Sequence, residues 1–326
     1  MRSLILKEHG PTSNFEVQDI ETPRPGPGQV IVRIAAASLN PIDNKIRAGL
    51  PIGPELPSAI GCDFAGVIAT IGDGVEGFSV GDEVFGCAGG VKGRGGALAE
   101  YIAADQELIA KRPSNISVKE SAALPLVSIT ATNLLERLQL REDDNLLIHG
   151  GVGGVGHIAL QLAKRITNSI TVTVENEDDA RVALSLGASE AILFKQESPA
   201  EYKQRLTGGR GFSAIIDTVG GPNLINSFEA ASLDGRIATT AARATLDLGL
   251  VHAKGLTLHG IFMLIPMLHN HEKAKHGAIL RNIAKIVEAS QLSPIVDDRS
   301  FSLDQAPHAY DELEGGRAKG KLVIDI

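Results

Sequence analysis

A glycine-rich stretch from His149 to Gly156 carries the strongest chemical signal in the chain. Gly151, Gly153 and Gly156 satisfy the spacing G-x-G-x-x-G, after an apolar strand and before an amphipathic helix. The first glycine permits a tight turn, the second lets a pyrophosphate approach the backbone, and the third lets helix and strand pack closely. Free N–H groups at the helix N-terminus then attract the phosphates. The stretch predicts a dinucleotide-binding loop, the alternative being a structural turn without a ligand.

The end of the next strand bears on which dinucleotide is bound. Glu175 stands about where an acidic side chain accepts hydrogen bonds from the adenosine ribose and repels a 2′-phosphate, which favours NAD. The run Glu175, Glu177, Asp178 and Asp179 is also typical of the acidic start of a helix, and Arg181 is near enough in sequence to reach a phosphate. NAD and NADP both stay open as cofactors.

Strands and helices alternate around this loop. The apolar segments NLLIHG, ITVTV, EAILF, SAIID, GRIAT and LTLHGIF predict strands, and the segments between them have helical lengths. Helices that join consecutive strands give right-handed crossovers in a parallel sheet. Residues 123–263 are therefore predicted to form a doubly wound Rossmann sheet, in an α/β protein.

The two ends of the chain have a different composition and hydrophobic pattern. In residues 1–122, glycine and proline punctuate short strand-like runs, such as the loop ETPRPGPGQ before VIVRIAAA. After residue 263, the helix-like HGAILRNIAKIVEAS and the strand-like KLVIDI are too short to fold alone. We predict that residues 1–122 and 264–326 form one β-rich domain, interrupted by the Rossmann domain.

Composition excludes several classes of partner. A length of 326 residues with 43% hydrophobic residues suits two domains, and a net charge of -8 disfavours a nucleic acid or an anionic membrane. No apolar run reaches the roughly 18 residues of a membrane span, and MRSLILKEHG does not read as a signal peptide. Cys62 and Cys87 are too few for a disulfide framework. We expect a cytoplasmic protein that acts on a small molecule.

Further motifs run along almost the whole chain. They include Asn40-Pro41-Ile42-Asp43, Gly61-Cys62-Asp63-Phe64-Ala65-Gly66, Gly81-Asp82-Glu83-Val84-Phe85-Gly86, Asp217-Thr218-Val219-Gly220-Gly221 and Gly320-Lys321. In order and spacing, together with the glycine loop, they resemble the zinc-free medium-chain dehydrogenases/reductases, in the quinone oxidoreductase group that includes zeta-crystallin. The resemblance implies a GroES-like catalytic domain made from both chain ends, an inserted Rossmann domain, and an active site in the cleft.

The resemblance also bears on metal binding. In the family's zinc alcohol dehydrogenases, side chains at the positions matching Asn40, Cys62 and Leu126 hold the catalytic zinc. Only one of these three is a plausible ligand here, whereas a catalytic zinc needs about three ligands of N, S or O type. The four-cysteine structural lobe of the family is also missing. We expect no metal.

Without a metal, hydrogen bonds must polarise the acceptor while it is held against the nicotinamide. Asn40 is the first candidate catalytic residue, because the resemblance places its amide where it would donate to a substrate oxygen; it would otherwise only hold the Asn-Pro turn. Asp43 is the second, with the alternative of capping a helix that starts near Asn44. One departure alters the acceptor pocket, since Pro51 replaces a tyrosine of some relatives. The predicted cofactor-binding residues are Thr130, which by resemblance contacts the nicotinamide end, with Gly151, Gly153, Gly154, Val155, Gly156, Glu175 and Phe262.

The sequence thus predicts a reductase that transfers hydride from NAD(P)H to a quinone, enone or related conjugated carbonyl. The alternatives are a zinc-independent alcohol or aldehyde oxidoreductase, and a non-catalytic NAD(P)-binding structural or sensor protein. We also expect a homodimer that pairs through the edge strand within residues 255–262, because KGLTLHGIFM would otherwise expose an apolar edge.

Overall fold

The computed structural model describes all 326 residues, which divide into two compact units. The first unit contains residues 1–129 and 264–326, and the second contains residues 130–263. The first boundary lies inside a helix, between Ile129 and Thr130, later in the chain than the expected 122/123. The second boundary follows Met263.

Short strands dominate the N-terminal part of the first unit. Its elements are β1 (Arg2–Leu6), β2 (Phe15–Asp19), β3 (Gln29–Ser38), α1 (Pro41–Arg47), β4 (Ser58–Ala59), β5 (Asp63–Ile71), β6 (Glu83–Cys87), β7 (Tyr101–Asp105), β8 (Ile109–Lys111) and α2 (Val118–Ala122). Helix α3 (Pro125–Leu138) then crosses the boundary, and it begins at a proline, which suits the first turn of a helix.

The second unit alternates strand and helix. Its elements are β9 (Leu146–His149), α4 (Gly156–Ala163), β10 (Ile170–Val174), α5 (Glu177–Ser185), β11 (Glu190–Leu193), α6 (Pro199–Thr207), β12 (Phe212–Asp217), α7 (Leu224–Ala230), β13 (Ala231–Thr239), α8 (Gly249–Ala253) and β14 (Thr257–Gly260). The first unit resumes with α9 (Ile265–His269), α10 (Ala274–Glu288), β15 (Phe301–Ser302), α11 (Ala306–Glu314) and β16 (Val323–Asp325).

The main sheet of the first unit joins the two ends of the chain. Its strand order is β15-β16-β3-β5-β6-β8, and β7 also pairs with β3. Strand β16 lies antiparallel to β3, with Val323 opposite Ser38. The C-terminal segment therefore completes a GroES-like unit that residues 1–129 begin, and Lys321 is carried to the end of β3.

The sheet of the second unit has the order β11-β10-β9-β12-β13-β14, and every pair is parallel. This is the strand order of the Rossmann fold, so the predicted fold class is confirmed. Leu147, Phe212, Ile215 and Phe228 are part of its core, on the face that α6 and α7 cover. Because β9, β10 and β12 lie side by side, the loops that follow them meet at one edge of the sheet.

Several local predictions need correction. Helix α1 begins at Pro41 rather than near Asn44, because proline suits the first turn of a helix and Asp43 caps it. Strand β14 ends at Gly260, so Phe262 lies beyond it. None of the helices has the length and apolar character that crossing a membrane requires.

Candidate functional site

The glycine loop connects β9 to α4, and its glycines have different reasons to lack a side chain. Gly150 has φ +77°, a conformation that favours glycine. A Cβ on Gly151 would lie 2.4 Å from the Val172 side chain of β10, and one on Gly156 would lie 2.0 Å from the Gly150 carbonyl oxygen. A Cβ on Gly153 would meet only that same oxygen, at 3.3 Å. The tight turn is thus made at Gly150 and not at Gly151 as predicted, while the lack of a side chain at Gly153 leaves the surface of the loop open to the approach of a ligand.

The N-terminus of α4 is suited to an anion. Val155 is its N-cap residue and has no side chain that bonds to the free N–H groups. The first N–H groups of a helix have no partner within the helix, and they carry a partial positive charge. Gly154 and Val155 lie between Gly153 and the start of α4. The free N–H groups of this helix start fit the predicted pyrophosphate site.

A cavity of about 280 Å³ adjoins this loop within the second unit. Its wall includes Gly150, Gly153, Thr173 and Val174 from the ends of β9 and β10 and the loops beyond them. The remaining lining residues are His149, Val152, Glu175, Asp179, Phe194, Glu197, Pro199, Tyr202, Val219, Asn223 and Asn226. Its size lies near the lower end for small-molecule sites, and its place at the carboxyl edge of the sheet is that of a nucleotide.

Glu175 lies at this cavity with an unforeseen partner. Lys195 Nζ is 2.5 Å from Glu175 Oε1, whereas Arg181, the cation considered from the sequence, pairs with Asp178. Leu193 pairs with Val174 in register, so the residues that follow the two strands must be neighbours. That parallel register is the signal that would have identified Lys195 as the partner of Glu175, because the distance between the two residues in the sequence does not show that they are neighbours.

Two buried residues at the cavity were also missed. His149 closes β9 and Tyr202 lies in α6; both are almost fully buried, and both line the cavity. Burial lowers the pKa of His149, and the nearby charge of Asp217 partly offsets that shift. Asp217 itself accepts hydrogen bonds from Gly220 N at 2.7 Å and Ser227 Oγ at 2.8 Å, so it builds the loop after β12.

Thr130 and Phe262 lie outside the glycine loop and do not line this cavity. Thr130 is buried in helix α3, and Phe262 is partly exposed just after β14. The contact of Thr130 with the nicotinamide end, and that of Phe262 with the cofactor, therefore stay predictions.

The first unit contains a buried polar cluster around Asn40. The amide Nδ2 of Asn40 donates to Asp63 Oδ2 at 2.9 Å, and its Oδ1 accepts a hydrogen bond from Lys321 Nζ. Lys321 Nζ also donates to the Leu39 carbonyl at 2.8 Å and lies 3.7 Å from Asp63 Oδ2. Burial raises the pKa of Asp63 and lowers that of Lys321, while their mutual attraction opposes both shifts.

Asp43 belongs to the same cluster. Its Oδ2 accepts the Asn40 backbone N–H at 2.8 Å, and its Oδ1 accepts from Cys62 Sγ at 3.4 Å. Burial, the largest influence, raises the pKa of Asp43 to about 7. A hydrogen bond with Cys87, followed by burial, raises the pKa of the Cys62 thiol well above its usual value, so the thiol stays protonated. A buried, protonated thiol of this kind is typical of an inert structural cysteine rather than a reactive one.

The two predicted catalytic residues both lie inside this cluster. Asn40 and Asp43 are fully buried, and their polar atoms take part in hydrogen bonds inside the unit. In this arrangement neither side chain is presented to an acceptor molecule. Asp43 caps α1, and Asn40 holds the segment between β3 and that helix. Their predicted contact with a substrate therefore stays a prediction, while their burial and hydrogen bonds show a role in holding the start of α1.

The same residues do not fit a catalytic zinc. Asn40 is bonded to Lys321 and Asp63, the Cys62 thiol is protonated and donates to Asp43, and Leu126 has no donor atom in its side chain. The chain has no group of three or more His, Cys, Asp or Glu side chains arranged for a metal ion. The Lys321 ammonium instead supplies a positive charge within this cluster.

Two family profiles match parts of the chain. Residues 26–114 match the profile described as an alcohol dehydrogenase GroES-like domain, and residues 186–324 match that of a zinc-binding dehydrogenase. The chain is 32% identical to 2-methylene-furan-3-one reductase of Solanum lycopersicum, over 96% of this chain and 74% of that protein. It is 29% identical to a quinone oxidoreductase of Pseudomonas aeruginosa, over 97% of each.

Solved structures show the same fold. An alcohol dehydrogenase superfamily protein from Novosphingobium aromaticivorans has a TM-score of 0.94 and 36% identity, covering 100% of this chain and 99% of that one. The quinone oxidoreductase from Coxiella burnetii has a TM-score of 0.85 and 28% identity, with the same coverage.

The chain therefore belongs to the medium-chain dehydrogenase/reductase family, in its quinone oxidoreductase group. It is an oxidoreductase, and its cofactor is a nicotinamide dinucleotide, NAD or NADP.

Proposed function

We propose that the protein transfers hydride from NAD(P)H to a conjugated carbonyl acceptor, a quinone or an enone, without a metal. The observation that carries this proposal is the cluster at the positions where zinc relatives hold their metal, in which Asn40 is tied to Lys321 and Asp63. The likeness to a 2-methylene-furan-3-one reductase and to quinone oxidoreductases supports the class of acceptor.

The nature of the acceptor follows from how charge develops during hydride transfer. Reducing an isolated carbonyl concentrates negative charge on one oxygen, which a metal ion or strong hydrogen-bond donors must stabilise. In a quinone or enone, the added charge spreads through the conjugated system, so less local stabilisation is needed. The nicotinamide supplies the hydride when bound, and the protein orients the acceptor and excludes water.

We assign Asn40 and Asp43 to positioning in this reaction. Asp43 holds the start of α1, and Asn40 joins that start to Asp63 and to Lys321. Their effect on turnover passes through the conformation of the segment between β3 and α1. We further propose that Glu175 and the loop from Gly151 to Gly156 bind the adenosine and pyrophosphate parts of the cofactor, and that Thr130 and Phe262 contact its nicotinamide half.

The test is oxidation of NADH and NADPH by the purified protein against a panel of quinones and enones. Saturated ketones and aldehydes, and primary alcohols with the oxidised cofactors, form the comparison series. We expect turnover in the conjugated series, retained in chelator, with substoichiometric zinc by elemental analysis. Turnover only in the alcohol or aldehyde series would favour the alternative of an alcohol oxidoreductase. An NAD-dependent alcohol dehydrogenase with 30% sequence identity is structurally similar to this chain. Cofactor binding without turnover of any acceptor would favour a binding protein.

We also propose a homodimer that pairs through β14. This strand is at the end of its sheet, and Leu258 and Phe262 are partly exposed on it and just beyond it. An edge strand with exposed backbone groups and apolar side chains readily pairs with a second copy. A dimeric mass in solution with slow amide exchange in residues 257–260 is expected; a monomer with fast exchange there contradicts the proposal.

A further inference from the structure

Two buried polar side chains at the cavity of the second unit have atoms without a partner. His149 and Tyr202 are both more than nine-tenths buried, and both line the cavity of about 280 Å³. Neither His149 Nε2 nor the Tyr202 hydroxyl oxygen has a hydrogen-bond partner in the protein. Leaving a buried polar atom unpaired is unfavourable, so such atoms beside a cavity are normally satisfied by what fills it.

The hydrogen bonds around His149 leave Nε2 as the ring nitrogen without a partner. Thr173 Oγ1 accepts the Gly150 N–H at 3.1 Å and lies 3.4 Å from His149 Nδ1. A hydroxyl oxygen has two lone pairs, so Thr173 Oγ1 either donates its hydrogen to Nδ1 or accepts one from it. Burial keeps the ring neutral by lowering the pKa of His149. In the first tautomer Nε2 is a donor without an acceptor, and in the second it is an acceptor without a donor.

The rest of the cavity wall is suited to a flat ring. Phe194 and Val219 line it and are 51% and 57% exposed, an unusual exposure for apolar side chains beside a cavity. Apolar surfaces at the opening and polar atoms at depth match a ring with apolar faces and hydrogen-bonding edges. Gly153 lines the same cavity, so a phosphate at the glycine loop and a base among these residues belong to one nucleotide.

We propose that His149 and Tyr202 recognise the edge of the adenine base of NAD(P). His149 Nε2 makes one hydrogen bond to the edge of the base, as a donor to a ring nitrogen in one tautomer or as an acceptor from the exocyclic amino group in the other, and the Tyr202 hydroxyl makes a second hydrogen bond to the adenosine half. This rests on the proposed assignment of the cavity to the cofactor. It goes further because it assigns recognition of the base to two side chains, one at the end of β9 and one in α6.

Two conservative substitutions test the proposal, His149→Leu and Tyr202→Phe. The probes are NADH, ADP-ribose, and reduced nicotinamide mononucleotide, which lacks the adenosine half. We expect each substitution to raise the dissociation constants of NADH and ADP-ribose about tenfold, equivalent to about 1.4 kcal/mol. The kcat/KM for reduced nicotinamide mononucleotide should stay at the wild-type value.

Tyr310→Phe is the matched control. Tyr310 also has a buried hydroxyl without a partner, but it lies in the first unit and does not line this cavity. Its substitution should leave the affinity for NADH unchanged. Wild-type affinity for ADP-ribose in both test variants would overturn the proposal, and so would equal losses with all three probes, because those report a disturbed fold. A wild-type protein that binds no ADP-ribose would instead refute the assignment of the cavity to the cofactor.

Discussion

Replacing Glu175 with serine should shift cofactor preference towards NADPH. Glu175 lines the cavity beside the glycine loop, and its carboxylate is paired with Lys195 at 2.5 Å. The two side chains are 58% and 60% exposed, so water screens the pair, and such pairs contribute only about 0–1 kcal/mol. Without Glu175, Lys195 loses its anionic partner and becomes available to the 2′-phosphate that distinguishes NADPH.

The magnitude follows from the charges involved. Two unit charges 4 Å apart interact by about 1 kcal/mol in bulk water and about 4 kcal/mol near a protein surface. Because Glu175 is more than half exposed, its repulsion of a 2′-phosphate falls in the lower part of that range, at about 1.5 kcal/mol. This corresponds to roughly a tenfold change in relative affinity. Lys195→Met should change the preference in the opposite direction, towards NADH.

The assay is the ratio of kcat/KM for NADPH to that for NADH at a saturating acceptor concentration. Asp178→Ser is the matched control, because Asp178 is an exposed carboxylate on the following helix, paired with Arg181 and absent from the cavity wall. It should leave the ratio unchanged. A Glu175→Ser ratio within about twofold of wild type would refute the reasoning, since a tenfold change is 1.4 kcal/mol. Glu175 would then act only at the start of the acidic helix.

Three further predictions concern the loop and the buried cluster. Gly153→Val should weaken the binding of both NADH and NADPH with little loss of Tm, because its Cβ would meet only the Gly150 carbonyl oxygen, at 3.3 Å. Gly156→Val should lower Tm, because its Cβ would lie 2.0 Å from the same oxygen. Similar Tm losses in both variants, measured beside cofactor titrations, would contradict this. Lys321→Met should lower the free energy of unfolding by about 3–5 kcal/mol, because it leaves Asp63 buried without its cation; urea denaturation showing less than about 1 kcal/mol would show the pair to be dispensable. Asp43→Asn should flatten the dependence of stability on pH: burial raises the pKa of Asp43 from 3.8 to about 7, so between these values the folded state binds more protons than the unfolded state, and stability falls as pH rises through this window. The free energy of unfolding should fall by about 4 kcal/mol at most across this window. Equal slopes of unfolding free energy against pH in variant and wild type between pH 4 and 7 would contradict this role of Asp43.

Much of the second unit could be predicted from the sequence because its signals are local. An apolar strand such as ITVTV and a following helix are each specified by the periodicity of a few residues, and the structure has β10 and α5 there. The strand order also follows, since short right-handed crossovers leave few arrangements of a parallel sheet. The glycine spacing predicts a dinucleotide-binding loop, and the structure places that loop between β9 and α4 of a Rossmann sheet.

Only the tertiary structure decided which polar groups meet. Lys321 and Asn40 are separated by 281 positions, and they bond because β16 pairs with β3. The need for glycine at Gly151 comes from Val172 on the neighbouring strand, and the tight turn falls at Gly150 instead. Residue type and spacing determine local conformation through backbone sterics and burial of one face. Whether a carboxylate faces a cation, a cavity or a thiol depends on contacts between distant segments, which exist only after the chain has folded.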